Sequence, residues 1–84
     1  MPQAGRRKKT PKTVLAFAST EDAMAIDAAA AEHGLPGRLI PVPSEIDAGC
    51  GFAWAADESA GAELLRRVDE LGLSYESIHE VMMY

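Results

Sequence analysis

The chain has 84 residues with 8 Lys or Arg against 13 Asp or Glu, a formal net charge of −5, and a single cysteine. A chain of this length forms one domain that buries only about 60–65% of its unfolded surface, so a roomy, water-excluding active site is not expected without a partner to complete it. One cysteine excludes an internal disulfide, no Cys/His cluster has zinc-ligand spacing, and no apolar run approaches the roughly 18 residues of a membrane span.

The N-terminus lacks the apolar stretch of a signal peptide, and the reading is a cytoplasmic protein that makes no membrane contact. Five of the eight basic residues (Arg6, Arg7, Lys8, Lys9 and Lys12) fall in the first twelve positions. Residues 13–84 therefore hold three basic groups against all thirteen acidic ones, a net of −10. The organisation expected is a disordered basic tail over 1–12 and a single domain over 13–84. No aromatic or helical periodicity accompanies the tail charges, so the tail reads as a solvated arm. The acidic body argues against nucleic acid as a partner.

TVLAFA (13–18) is a short apolar run that predicts a buried strand. Ser19 or Thr20 then caps a helix, with Glu21 and Asp22 in its first turn, where carboxylates suit the positive end of the helix dipole. Ala-rich sequence follows to Gly34, and His33 falls where a cation or a donor to free carbonyls is favourable. GRLIPV (37–42) predicts a second strand. Pro41 cannot donate to a ladder, which places that strand at a sheet edge or Pro41 at the strand's end. GFAWAA (51–56) predicts a third strand with Phe52 and Trp54 on one face; a domain this small is expected to bury both aromatics. Asp57 or Ser59 opens a second helix whose Leu64, Leu65, Val68 and Leu71 form one apolar face. Gly72 closes it, and 74–84 is a final strand in which His79 is an ordinary strand residue.

Strand, helix, strand, strand, helix, strand is the order of a split βαβ arrangement. The fold class expected is α+β: a ferredoxin-like βαββαβ sandwich, with a four-stranded antiparallel sheet in the order 4-1-3-2 and two helices on one face. Strand 2 is then an edge, which accommodates Pro41. The last strand is the other edge, and its apolar end (Val81, Met82, Met83, Tyr84) suggests a homodimer or a partner that covers it.

Two readings of Cys50 stay open on the residues themselves. Gly49 and Gly51 remove bulk on both sides of the thiol and permit unusual backbone angles, and Pro41 and Pro43 stiffen one wall of such a site. Glu45 and Asp47 are nearby anions that would raise a thiol pKa, and Arg38 is the single basic residue of the region. The alternative is a small, inert side chain that begins a core strand. No serine elbow, paired histidines or glycine-rich phosphate loop accompanies it, and no cofactor is expected.

The strand with its Ser/Thr cap and acidic first turn (Phe17, Ser19, Thr20, Asp22, Ala23), the Gly34-Leu35 turn, Pro41-x-Pro43 and Cys50-Gly51 resemble the selenium/sulfur (Se/S) carrier-like family over residues 13–84. That resemblance implies an α/β sandwich in which Cys50 holds a persulfide or perselenide and passes it to a partner. Gly49 and Gly51 give access, and a cysteine desulfurase or selenium-handling enzyme acts at the other end of the relay. It implies an accessory protein rather than an enzyme that turns over alone. In the family pattern a basic residue follows the second proline; here that position is Ser44.

Overall fold

The computed structural model describes residues 9–46 and 51–83. Strand β1 (Thr10–Ala16) leads to helix α1 (Thr20–His33) and strand β2 (Arg38–Pro41). Strand β3 (Phe52–Asp57), a single 3-10 turn (Glu58–Ala60), helix α2 (Gly61–Glu70) and strand β4 (Ser77–Met83) complete the chain. The sheet order is β2-β3-β1-β4, with every neighbouring pair antiparallel. This is the order expected of a ferredoxin-like α+β fold, and β2 and β4 are its edges.

β1 is central and buried on both faces, which is why TVLAFA reads as an apolar run rather than an alternation. It begins three residues earlier than that run suggests. Thr10, Pro11 and Lys12 pair with Met83, Met82 and Val81 of β4, so the last residues of the basic segment belong to the sheet. Pairing with β3 stops at Lys12–Asp57, so Pro11 faces only β4 and its missing N–H interrupts no central ladder.

Alternation along the strands divides the core. Leu15, Phe17, Trp54 and Ala56 point to the helices and pack with Ala23 and Ile26 of α1 and Leu64 and Val68 of α2, placing both helices on one face. Each large side chain buried there contributes about 1.5–3 kcal/mol. Val14, Ala16, Ala53, Ala55, Ile40 and Val81 line the opposite face, where Ile46 from the β2–β3 connection packs on them. A two-layer sandwich leaves that face open to water; here the connection covers part of it.

α1 begins as its sequence dictates. Ser19 is extended, its hydroxyl accepts from the Asp22 N–H at 3.3 Å, and Gly34 at φ 70° ends the helix by donating to Ala30. The carbonyl of His33 is taken by the Arg67 guanidinium of α2 at 3.0 Å rather than by a side chain of α1, which ties the two helices together. α2 differs at its start: neither Asp57 nor Ser59 caps it, and the 3-10 turn leads straight into Gly61.

Candidate functional site

Residues 42–51 form the β2–β3 connection. Its ends are tied by the Val42 N–H, which donates to the Gly51 carbonyl at 3.1 Å and extends the hairpin ladder one step past Pro41 and Phe52. Within it, the Ile46 N–H donates to the Pro43 carbonyl at 3.0 Å, closing a turn over Pro43, Ser44, Glu45 and Ile46. Pro43 stands at the first position of that turn, with Ser44 and Glu45 at its centre, and the buried Ile46 anchors it to the sheet.

The predicted site residues therefore divide. Pro41, Pro43, Ser44 and Gly51 come together at the closed end of the β2–β3 hairpin, with Pro41 and Ser44 exposed and Pro43 half-buried. Cys50 and Gly49 lie outside the described residues. Gly51 is exposed, has no positive φ, and a Cβ placed on it would meet nothing within 4 Å. Its contribution is open space beside the chain, not a backbone angle closed to other residues.

Arg38 is at the far end of the hairpin. It pairs with Ala55, four residues along β3 from Gly51, which is about 13 Å at strand rise. Its guanidinium belongs to a different part of the surface from Gly51. The N-terminus of α1 is at the same sheet end as Gly51, because Ala16, the last residue of β1, pairs with Ala53. Such an end favours negative charge, although Glu21 and Asp22 already occupy its first turn.

The two aromatics of β3 separate in spite of their shared face. Trp54 is 2% exposed in the helix-side core, whereas Phe52 is 39% exposed near the mouth of the connection. Their spacing fixes the face but not how far the helices reach along it.

The sequence places His79 as an ordinary strand residue and does not reveal its pairing with Ser77. They share one face of β4, and the Ser77 Oγ and His79 Nε2 lie 2.7 Å apart. The register puts Ser77 level with Ala16 and His79 level with Val14, on the face that Ile46 partly covers. The i, i+2 spacing of the two residues in a strand was the available signal. No group of three or more potential metal ligands occurs among the described residues, and no described helix is long and apolar enough to cross a membrane.

The family described as "Putative Se/S carrier protein-like" matches residues 12–80, most of the chain. The chain belongs to this family. No curated protein and no solved structure matches it. For the Se/S carrier-like family the match means that the strand of Lys12, the Pro41-x-Pro43 pair, Cys50-Gly51 and the first half of β4 all fall in the shared region, while most of the basic segment precedes it.

Proposed function

We propose that this protein is a Se/S carrier in which Cys50 accepts sulfur or selenium and relays it to a partner enzyme. The match to the Se/S carrier-like family over residues 12–80, which include Cys50, carries this reading. The thiolate of Cys50 attacks the terminal sulfur of a persulfide on a donor protein such as a cysteine desulfurase. The donor's S–S bond breaks, its thiolate leaves, and the sulfane sulfur remains on Cys50 as a persulfide; a nucleophile on the acceptor then takes that sulfur and returns Cys50 as thiolate. A selenium donor follows the same balance with a perselenide.

Three features support it. The stiff Pro41-x-Pro43 exit and the Val42–Gly51 bond hold the ends of the thiol-bearing connection. Gly51 leaves open space at the neighbouring position. The N-terminus of α1 faces the same end of the sheet and favours an anion there. The protein is an accessory rather than a stand-alone catalyst, since a donor supplies the cargo and an acceptor uses it.

Intact mass after incubation with a cysteine desulfurase and cysteine, or with selenide and a disulfide oxidant, tests the proposal. A one-sulfur or one-selenium adduct is expected on the wild type and absent from Cys50→Ala. No adduct, or an equal one on Cys50→Ala, overturns it.

A second reading has its own support in β4. Ile78 and Met82 are 46% and 53% exposed on the sheet's edge strand, a surface suited to pairing with a second copy or a partner. In that reading the protein is an interaction module and Cys50 is structural. A monomer in sedimentation velocity over a wide concentration range, unchanged by Ile78→Lys, removes the homodimer.

A further inference from the structure

A cleft of about 300 Å³ lies at the end of the sheet away from Gly51, lined by Lys12, Gly37, Arg38, Asp57, Ala60 and Met83 among others. We infer that this cleft is a binding site for a small oxyanion, a carboxylate or a phosphate, held by the Arg38 guanidinium.

The charges of the site point to it. Arg38, Arg66 and Arg67 are the three basic residues of the body from residue 13 onward. Arg66 pairs with Glu70 at 3.0 Å, and Arg67 lies 3.9 Å from Glu63 while donating to the His33 carbonyl. Arg38, exposed at the start of β2, has no ion pair among the described residues. In the same cleft Lys12 is paired with Asp57, so among the described lining residues two cations stand against one carboxylate, a positive balance on a strongly acidic body. Arg38 and Asp57 share a sheet face, since Arg38 is level with Ala55 and Asp57 is the next residue on that face of β3. The Lys12 ammonium first, and the Arg38 charge to a lesser degree, hold the Asp57 carboxyl below its ordinary value, so both cations act on the same small region.

The wall beside Arg38 is preformed. The Trp54 indole donates to the Pro36 carbonyl at 2.8 Å, and Gly37, at φ 105°, lies so close to the sheet that a Cβ would be 2.5 Å from both the Ala55 carbonyl oxygen and Trp54 Nε1. The backbone that delivers Arg38 is therefore fixed to the core, and the exposed Arg38 side chain is what must be ordered on binding. A planar guanidinium on a fixed backbone suits two-point recognition of a carboxylate or phosphate. The volume is at the lower end of small-molecule sites, which favours a free small acid over a peptide or a nucleic acid strand.

The test is a titration of ¹⁵N-labelled full-length protein with inorganic phosphate and, separately, with succinate, at constant ionic strength. Saturable shifts are expected at the Gly37, Arg38 and Asp57 amides with at least one probe, and the stronger probe identifies the ligand class. Arg38→Gln should weaken binding by about tenfold or more, Arg66→Gln should leave it unchanged, and Asp57→Asn should tighten it. Non-saturable shifts with both probes, or equal losses in Arg38→Gln and Arg66→Gln, overturn the assignment.

Discussion

The indole N–H of Trp54 donates to the carbonyl of Pro36 at 2.8 Å, and this bond joins the buried centre of β3 to the turn between α1 and β2. A tryptophan in a small core needs an acceptor for its N–H, and the turn supplies one only because Gly37, the next residue, can lie against the strand.

Gly37→Ala should be the most damaging glycine substitution among the described residues. It adds a Cβ 2.5 Å from the Ala55 carbonyl oxygen and Trp54 Nε1, at a φ of 105° that L side chains rarely adopt. The expected loss is about 2 kcal/mol or more. Gly34→Ala keeps open space around its Cβ at φ 70° and pays only for the left-handed backbone, about 1 kcal/mol. Urea unfolding of the two variants checks the order, and equal losses would mean that the close approach at Gly37 carries no weight.

The carboxyl of Glu58 in the 3-10 turn is held above its ordinary value by a hydrogen bond to the Glu80 carboxylate of β4 and by that group's charge. A carboxyl raised on folding adds stability at pH values below its unfolded pKa, and that contribution disappears as pH rises through the folded value. Glu80→Gln should therefore stabilise the protein near pH 7 by removing the repulsion, and the gain should shrink toward pH 4. Thermal unfolding across that range checks it; a gain that grows on acidification contradicts the pairing.

Much of this fold is legible in the sequence because its signals are local. Ser19, Gly34 and Gly72 punctuate the helices as their chemistry requires, and the prolines of 41–43 fit a strand at a sheet edge. What escaped was set by distant partners. The start of β1 at Thr10 depends on Met83 arriving 73 residues later, and Pro11 reads as a strand breaker until β3 is seen to end beside Lys12. Arg67 in place of His33 at the end of α1 is a contact between two helices that neither sequence segment announces. At the site, the residue types were readable in Pro41, Pro43, Ser44 and Gly51. The separation of Arg38 from Gly51 was not, because strand register fixes it.

Ile46 is the anchor of the connection that bears the candidate thiol. It is 6% exposed and packs with Val14, Ala16, Ile40 and Ala53 on the face away from the helices. Ile46→Ala should cost about 2 kcal/mol, the lower part of the range for emptying a buried isoleucine site, because a surface connection can partly collapse into the space. Iodoacetamide alkylation of Cys50 in the same variant reports whether this anchor also sets the reactivity of the thiol, and a changed rate is expected if it does. A destabilised variant with an unchanged alkylation rate, measured where both proteins remain folded, would separate the anchor from the thiol's environment.

A charge placed at Ser44 tests the proposed carrier function at the thiol itself. Ser44 is exposed within the turn that the Ile46 N–H closes onto the Pro43 carbonyl, directly before Glu45. An ammonium at that position would offset Glu45 and favour the thiolate, whereas a hydroxyl leaves the field of the neighbouring acids unopposed. Ser44→Lys should therefore lower the Cys50 pKa and raise its rate of reaction with a disulfide such as 5,5′-dithiobis(2-nitrobenzoate) near pH 7. The urea midpoint should hardly move, since an exposed turn side chain is exchanged for another. The increase should be larger at low ionic strength, because a charge acting from an exposed turn is screened within about 10 Å at 0.1 M salt. Ser44→Gln is the control for side-chain length. A thiol pKa that is the same in the wild type, the lysine variant and the glutamine variant would show that position 44 does not address the sulfur.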